Sequence, residues 1–268
     1  MNSRDMKIVP SSFDVVGSRE KAVAIVEIPK GGDEKKIAEE IMRKNKNVKS
    51  VLKKVSVRKG KLRLRECELI TGDENTEVIH KEHGYLLKLD PQKAYFSPRE
   101  ATERQRIAGG VKPNENVLVM FSGVAPMAIA IAKKQPGVRK VYCIEINPDA
   151  HKYAKDNIRI NKLSHKIYPI CGDAKKEVKK LSEKFDRIAM PLPLGAKKFL
   201  ETAFDCLKRE GTIHFYAVGN GDDLFSNTLA DIKGVSQKLK KRIKILKNKK
   251  VLQYAPGKWK VCIDFQVV

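Results

Sequence analysis

Apolar and polar positions alternate differently in the two parts of the chain. Up to about residue 90 the runs are short and strand-like, with one helical interruption. "KAVAIVEIP" (21–29) predicts a strand, ended by Pro29 and the glycines of "KGGDEKK". From about Asp33 to Asn45, Ile37, Ala38, Ile41 and Met42 form an apolar stripe at helical spacing. "VKSVLKKVSV" and "GKLRLRECELITG" are strand-like and basic. "TEVIHKEHGYLLKLD" predicts a hairpin turning at Gly84, with Tyr85, Leu87 and Leu89 on one face.

From about residue 94 strand and helix patterns alternate, as in an α/β sheet. Strands are predicted at "NVLVMF", "KVYCIEIN", "KIYPICGDA", "FDRIAMPLP" and "GTIHFYAVG". Helices are predicted at "PMAIAIAKK", "PDAHKYAKDNIRINK" and "AKKFLETAFDCLKRE", and "KKEVKKLSEK" reads as a solvated helix face. "RIKILKNKKVLQYAPGKWKVCIDFQVV" closes the chain as two strands around "YAPG". The organisation expected is a small α+β domain over residues 1–92 and an α/β domain over 93–268.

Charge adds a partner class. Lys and Arg number 55 against 32 Asp and Glu, a net charge of +23. An ion-pair surface would carry balancing acids, so the excess points to a polyanion, most simply nucleic acid. No apolar run approaches the roughly 20 residues that span a bilayer, and the N-terminus lacks a signal peptide's apolar stretch. A cytoplasmic protein without a membrane partner is expected. Cys67, Cys143, Cys171, Cys206 and Cys262 form no CxxC pair; Cys143, Cys171 and Cys262 lie in apolar, strand-like runs and read as core thiols, and the five histidines show no ligand spacing, so no metal site is expected.

Candidate chemistry sits at the carboxyl ends of the predicted strands, where parallel sheets bind ligands. These ends read "FSGVAP", "IEINPDA", "CGDA" and "MPLP". Glu145 stands where an acid can accept hydrogen bonds from ribose hydroxyls, and Asp173 where a carboxylate can receive an adenine amino group. "SGVAP" lacks the glycines that let a backbone approach a pyrophosphate. A nucleoside cofactor without phosphates is implied, S-adenosylmethionine rather than NAD. The competing reading makes Glu145 and Asp173 simple N-caps of the following helices.

"YFSPREATERQRIAGG" is the most specific stretch. Ser97, Pro98 and Glu100 read as N-cap, N1 and N3 of a helix that Gly109 and Gly110 end. Arg99 and Glu103 fall four apart on one face, the spacing of a local ion pair. Together with "RLRECELITG", "TEVIHKEHG", "SGVAP", "IEINPDAHKYAKDNIRINKL", "GDA", "MPLP", "IHFYAV" and "YAPGKWKVCIDF", this stretch resembles the archaeal and eukaryotic tRNA guanine-37 N1-methyltransferases. Their superfamily includes the aminocarboxypropyltransferases of wybutosine synthesis. The likeness runs from about residue 10 to the end.

The resemblance implies a Rossmann-like class I methyltransferase domain preceded by a small α+β RNA-binding domain, without the additional N-terminal domain of some relatives. It implies methyl transfer from S-adenosylmethionine to N1 of the guanine 3′ of the anticodon of a tRNA, by a protein expected to act as a monomer. Glu103 corresponds to the base that removes the N1 proton. Arg63 or Arg65 corresponds to the cation near O6, and Asn147 to an active-site asparagine. Tyr95, Arg99 and Pro193 fall at positions that hold the flipped guanine. Arg99, Phe121, Gly123, Glu145, Ile146, Asp173 and Ala174 fall at positions that hold the cofactor. Three positions depart from the pattern: Val119 replaces an acid, Ala125 a glycine, and Pro191 an asparagine. Two alternatives stay open: aminocarboxypropyl transfer from the same cofactor, and a non-catalytic tRNA-binding relative. Arg99 and "MPLP" lean towards methyl transfer.

Overall fold

The computed structural model describes residues 10, 13–56, 60, 62 and 66–268, which divide into two compact units, 1–98 and 99–268. In the first unit β1 (Asp14–Gly17), β2 (Ala22–Val26), β3 (Val48–Lys54) and β4 (Cys67–Gly72) form a sheet in that order. The central pair β2 and β3 is parallel, joined by helix α1 (Glu34–Lys44). Parallel neighbours need such a crossover. Asp33 starts α1 by accepting the Lys36 N–H at 3.1 Å, and Ile37, Ala38 and Ile41 are buried on its sheet-facing stripe.

The predicted hairpin forms from β5 (Val78–Glu82) and β6 (Tyr85–Leu89). Its turn residues His83 and Gly84 both have positive φ, 42° and 83°, the backbone a tight two-residue turn demands. Tyr85, Leu87 and Leu89 are buried as the alternation predicts.

The second unit is built on a seven-stranded sheet. Its strands are β7 (Asn116–Met120), β8 (Lys140–Glu145), β9 (Ile167–Cys171), β10 (Phe185–Met190), β11 (Leu207–Asn220), β12 (Ile243–Ala255) and β13 (Lys258–Val267). Their order is β12-β13-β11-β10-β7-β8-β9. Strands β7 to β11 are mutually parallel, and the β12–β13 hairpin adds to β11 antiparallel. The chain runs outward from β7 to β9, then returns to β10 on the other side of β7. That reversal opens a crevice at the carboxyl ends of β7 and β10.

Helices α5 (Ala174–Lys179), α6 (Leu200–Cys206) and α7 (Ser226–Lys238) cover one face, packing Val178, Phe204 and Ile232 against Leu118, Ile188 and Phe265. Helices α2 (Ala101–Gly109), α3 (Pro126–Lys134) and α4 (Pro148–Ile160) stand outside that cluster and pack on one another.

Four details differ from the sequence reading. The helix predicted to run to Glu210 stops at Cys206, because β11 already pairs with β10 at Leu207. The register then shifts between Phe185 and Arg187, and Glu210 turns at φ 61°. Helix α7 has no counterpart among the predicted elements; Gly234 and its many polar residues dilute its apolar stripe. Cys171, read as a core thiol, is exposed because it ends the edge strand β9. The "SPRE" start is a 3-10 turn, Pro98–Glu100, ahead of α2, and Glu100 accepts from Lys260 Nζ at 2.8 Å.

Candidate active site

The turn after β7 is shaped by three alternate residues of positive φ: Phe121 (φ 57°), Gly123 (φ 54°) and Ala125 (φ 65°). Ala125 therefore occupies the conformation that favours glycine, and α3 starts directly from it with Pro126 at its first turn. Val119 is fully buried in β7 opposite Cys143 and Ala189. Phe121 is half-buried, its ring edge-on to Phe199 at 4.8 Å.

Glu145 ends β8 and ties this turn to the next one. One carboxylate oxygen accepts the Gly123 N–H at 2.7 Å and the other the Asn147 N–H at 2.8 Å. Burial pushes its carboxyl up, while the N–H groups of Asn147, Gly123 and Ile146 work against that. Glu145 is thus no helix cap. Asn147 caps α4 instead, accepting the Asp149 N–H at 3.0 Å. Asp173 does cap its helix, α5, accepting the Lys175 N–H at 2.9 Å. Ala174 behind it is buried, and Ile146 is half-buried.

This donor set fits S-adenosylmethionine. An ionised carboxylate has about four acceptor positions, so with the N–H groups of Asn147, Gly123 and Ile146 on it Glu145 retains about one for a ribose hydroxyl. Asp173 likewise keeps acceptor capacity for an amino group. The turn itself, "FSGVAP", carries no Lys or Arg to meet a phosphate.

A second polar group lies under α2. Glu103 is buried, 6% exposed, and its carboxylate is held from two sides. Oε1 accepts the Tyr216 hydroxyl at 2.6 Å and Arg106 Nη2 at 2.7 Å, and Oε2 accepts Arg106 Nε at 2.8 Å. Tyr216 lies one residue beyond Phe215, which pairs with the last residue of β10, so Glu103 sits at the carboxyl-end level of the sheet. Burial raises the Tyr216 phenol well above its usual value, so it donates.

Arg106 also bonds Asp264 through Nη1, and Asp264 lies 2.7 Å from His214 Nδ1. His214 Nε2 meets Arg187 Nη1 at 2.8 Å. A guanidinium only donates, so Nε2 accepts and the His214 proton sits on Nδ1, pointing at Asp264. Burial pushes the His214 pKa down and keeps the ring neutral. Arg187 completes the chain on Glu115 (2.7 and 3.0 Å) and on the Gly110 carbonyl. His214, Cys262 and Asp264 bring ligand atoms within 4.8 Å of one another. Both imidazole nitrogens and the carboxylate are already engaged by protein partners, and the guanidinium on either side opposes a cation.

The structure joins Gly123, Glu145 and Asn147 in one hydrogen-bonded cluster. Arg63 and Arg65 lie outside the described residues. Tyr95 belongs to the first unit and is 38% exposed; Arg99 is exposed at the start of the second, and Pro193 is half-buried after β10. Arg106, Tyr216, His214 and Asp264 escaped the sequence reading. Their signal was there: Glu103 and Arg106 are one turn apart, and "IHFYAV" and "VCIDF" carry polar residues at alternate buried positions.

A mostly parallel sheet of this order, flanked by helices and closed by an antiparallel hairpin, is the fold of class I S-adenosylmethionine-dependent methyltransferases. The chain belongs to the TRM5/TYW2 methyltransferase family: the TRM5/TYW2 methyltransferase domain matches residues 78–246, and the TYW2 N-terminal domain matches 1–76. It is 40% identical over 263 residues to the tRNA (guanine(37)-N(1))-methyltransferase Trm5b of Pyrococcus abyssi, covering 97% of this chain and 76% of that one. The crystal structure of that Trm5b matches with a TM-score of 0.85, over 96% and 75% of the two chains. It is 33% identical over 225 residues to the tRNA(Phe) (4-demethylwyosine(37)-C(7)) aminocarboxypropyltransferase of Methanocaldococcus jannaschii, covering 84% and 88%. The structure of M. jannaschii TYW2 in complex with AdoMet matches at 28% identity and a TM-score of 0.70, over 96% and 99%. S-adenosylmethionine is the cofactor of this enzyme, and no helix among the described residues is long and apolar enough to cross a membrane.

Proposed function

We propose that the protein is a tRNA (guanine-37 N1)-methyltransferase in which Glu103 is the general base. The observation that carries this reading is the buried Glu103 carboxylate, held at the carboxyl-end level of the sheet by Tyr216 and Arg106. Three donors engage it, which leaves about one acceptor position of a carboxylate open, on Oε2. Guanine N1 carries a proton at neutral pH and is a poor nucleophile until that proton is taken. When bound, S-adenosylmethionine supplies a methyl carbon activated by its sulfonium. The open position on Glu103 accepts the N1 proton as N1 becomes nucleophilic. Glu145 and Asp173 fix the nucleoside end of the cofactor through its hydroxyl and amino groups. Arg99, Asn147 and Pro193 hold the extruded guanine and its surroundings, and a cation is needed near O6, where negative charge builds, the role the resemblance gives to Arg63 or Arg65. The +23 charge supports a tRNA partner, as do the activities named for the Trm5b and aminocarboxypropyltransferase relatives.

The N-terminal match to a TYW2 domain favours a second reading, aminocarboxypropyl transfer from the same cofactor. The product's mass separates the two. Unmodified tRNA transcript is incubated with labelled S-adenosylmethionine, and the product nucleosides are analysed by mass spectrometry. A single added methyl on guanine 37, lost in Glu103→Ala, is the result expected. A larger adduct, formed in a parallel incubation with tRNA that already carries 4-demethylwyosine at position 37, the substrate named for the aminocarboxypropyltransferase relative, establishes the second reading. Full methylation by Glu103→Ala removes Glu103 as the base. A non-catalytic relative would bind tRNA and show no heat with S-adenosylmethionine in calorimetric titration.

A further inference from the structure

The end of the chain leaves one edge of the large sheet strongly positive. Residues 232–263 contain eleven Lys and Arg and no Asp or Glu. Within them β12 is an edge strand, paired with β13 alone. Lys244, Lys247 and Lys249 are exposed along it and have no ion-pair partner among the described residues. Lys238, by contrast, pairs with Glu201, and Lys250 lies 3.5 Å from the centre of the Trp259 ring.

Strand register gives these lysines a direction. Directly opposed residues of an antiparallel pair project to the same face. Lys244 opposes Gln266, Lys247 opposes Asp264 and Lys249 opposes Cys262. Asp264 and Cys262 oppose His214 and Tyr216 in turn. Lys249 therefore stands in the row of Tyr216, whose hydroxyl bonds Glu103, and on the same face of the sheet. Two strand spacings, about 10 Å, separate the two backbones. The bulge between Ile245 and Lys247 absorbs Leu246 and keeps all three lysines on that face. Lys247 and Lys249 are two residues apart, about 6.5 Å, comparable with the step between successive phosphates of a nucleic acid strand.

The acids on this face are already matched. Arg106 bonds Glu103 and Asp264, and Lys260 bonds Glu100. Edge lysines also guard a sheet against pairing with another chain. Here the register shifts three times along β12, and those irregularities already spoil its free ladder. Guarding the edge does not require lysines on one shared face or in the rows of His214 and Tyr216. A strand of phosphates lying along β12 towards Glu103 requires both.

We propose that β12 is a phosphate-binding edge of the catalytic unit: Lys244, Lys247 and Lys249 hold the backbone of the tRNA strand that leads to the target guanine. This rests on the tRNA substrate proposed above.

Salt dependence of tRNA binding tests it, with the full chain and an unmodified tRNA transcript. Each phosphate contact adds about 0.7–0.9 to the slope of log affinity against log salt. The triple variant Lys244→Gln, Lys247→Gln, Lys249→Gln should lower that slope by about 2–3 and weaken binding at least about tenfold. KM for tRNA should rise with it, while kcat, the S-adenosylmethionine dissociation constant and the urea midpoint are kept. Replacing the same three residues by Arg should preserve the slope. The control is Lys152→Gln, Lys155→Gln, Lys162→Gln, three exposed lysines on and just after α4, which packs on β9 at the opposite edge of the sheet. It should leave the slope near wild type. Lysine acetylation of the wild-type protein, read by mass spectrometry, needs no variant: tRNA should protect Lys244, Lys247 and Lys249 and spare none of the control lysines. An unchanged slope in the Gln variant, an equal loss in the control, or unprotected β12 lysines would overturn the proposal while leaving tRNA as the substrate. Aggregation of the Gln variant together with unprotected lysines in the wild type would make them edge guards only and overturn it as well. A wild-type protein that binds no tRNA at any salt concentration would remove the substrate reading itself, and the phosphate edge with it.

Discussion

Ala125 invites a substitution whose effect on stability can be worked from geometry. The residue stands at φ 65°, ψ 30°, just ahead of α3, and its methyl is fully buried. An L-residue in this conformation carries a strain of about 1–2 kcal/mol that glycine escapes. Against that, Ala125→Gly loosens the unfolded chain, at about 0.4–1 kcal/mol. It also gives up one buried methyl, worth about 0.8 kcal/mol. The terms nearly cancel, so Ala125→Gly should leave stability within about 1 kcal/mol of wild type. Ala130→Gly is the control. Ala130 is as deeply buried but lies inside α3 in ordinary helical conformation. There glycine relieves nothing and costs about 1 kcal/mol of helix propensity plus the methyl, roughly 2 kcal/mol in all. Urea unfolding measures both. The single tryptophan, Trp259, is in the same unit as both sites and reports the transition. Equal losses in the two variants would refute the claim that Ala125 bears left-handed strain. Calorimetry should also find S-adenosylmethionine binding retained in Ala125→Gly, since the turn keeps its path.

Two further outcomes follow from the same groups. Glu145→Ala removes the acceptor proposed for the ribose hydroxyls and the bridge between the Gly123 and Asn147 turns; hydrogen bonds to a charged group are worth about 1.5–3 kcal/mol. The dissociation constant for S-adenosylmethionine should rise at least about tenfold by calorimetry, and an unchanged constant would remove Glu145 from the cofactor site. The pH dependence of stability has a defined sign. Burial holds the folded His214 pKa below its ordinary 6.5, so the unfolded chain binds the proton first and stability declines as pH falls below about 6.5. Burial opposes the ionisation of Asp264, but His214 and then Arg106 hold its carboxyl far below the ordinary 3.8. Its contribution is complete above that value and is lost as pH falls through the folded pKa. Urea unfolding between pH 7 and 3 should show both losses, and Asp264→Asn should flatten the arm below pH 4; an unaltered arm would show that Asp264 is not held ionised by these partners.

The elements were legible where one local rule governed the chain. Helix α3 runs from Pro126 to Lys134, the stretch the apolar pattern marks, and α1 starts at the Asp33 cap and ends before Asn45. Glu145 and Asp173 were legible as strand-end acids, although only the coordinates separate their roles: Asp173 caps its helix, while Glu145 spans two turns. Helix α7 was lost because Gly234 and scattered polar residues blur its period, and the last turn of the predicted "LKRE" helix because β11 claimed Leu207 for the sheet.

The environment of Glu103 was hidden for a different reason. Spacing along the chain suggests Arg99, four residues away, as a partner, yet the groups that hold the carboxylate are Arg106 and Tyr216, the latter 113 residues distant. No local period can report such a contact. Strand register can, because His214 faces Asp264 and Tyr216 faces Cys262 across the β11–β13 pair. Two strands that each carry polar side chains at alternate positions of an otherwise apolar run must bury those groups on one shared face, and buried polar groups need partners there. Glu103 and Arg106, one helical turn apart on α2, supply them. The pattern in "IHFYAV" and "VCIDF" therefore marks a hydrogen-bonded layer beneath a helix, and a carboxylate on that helix inherits its charge environment from two strands at the far end of the chain.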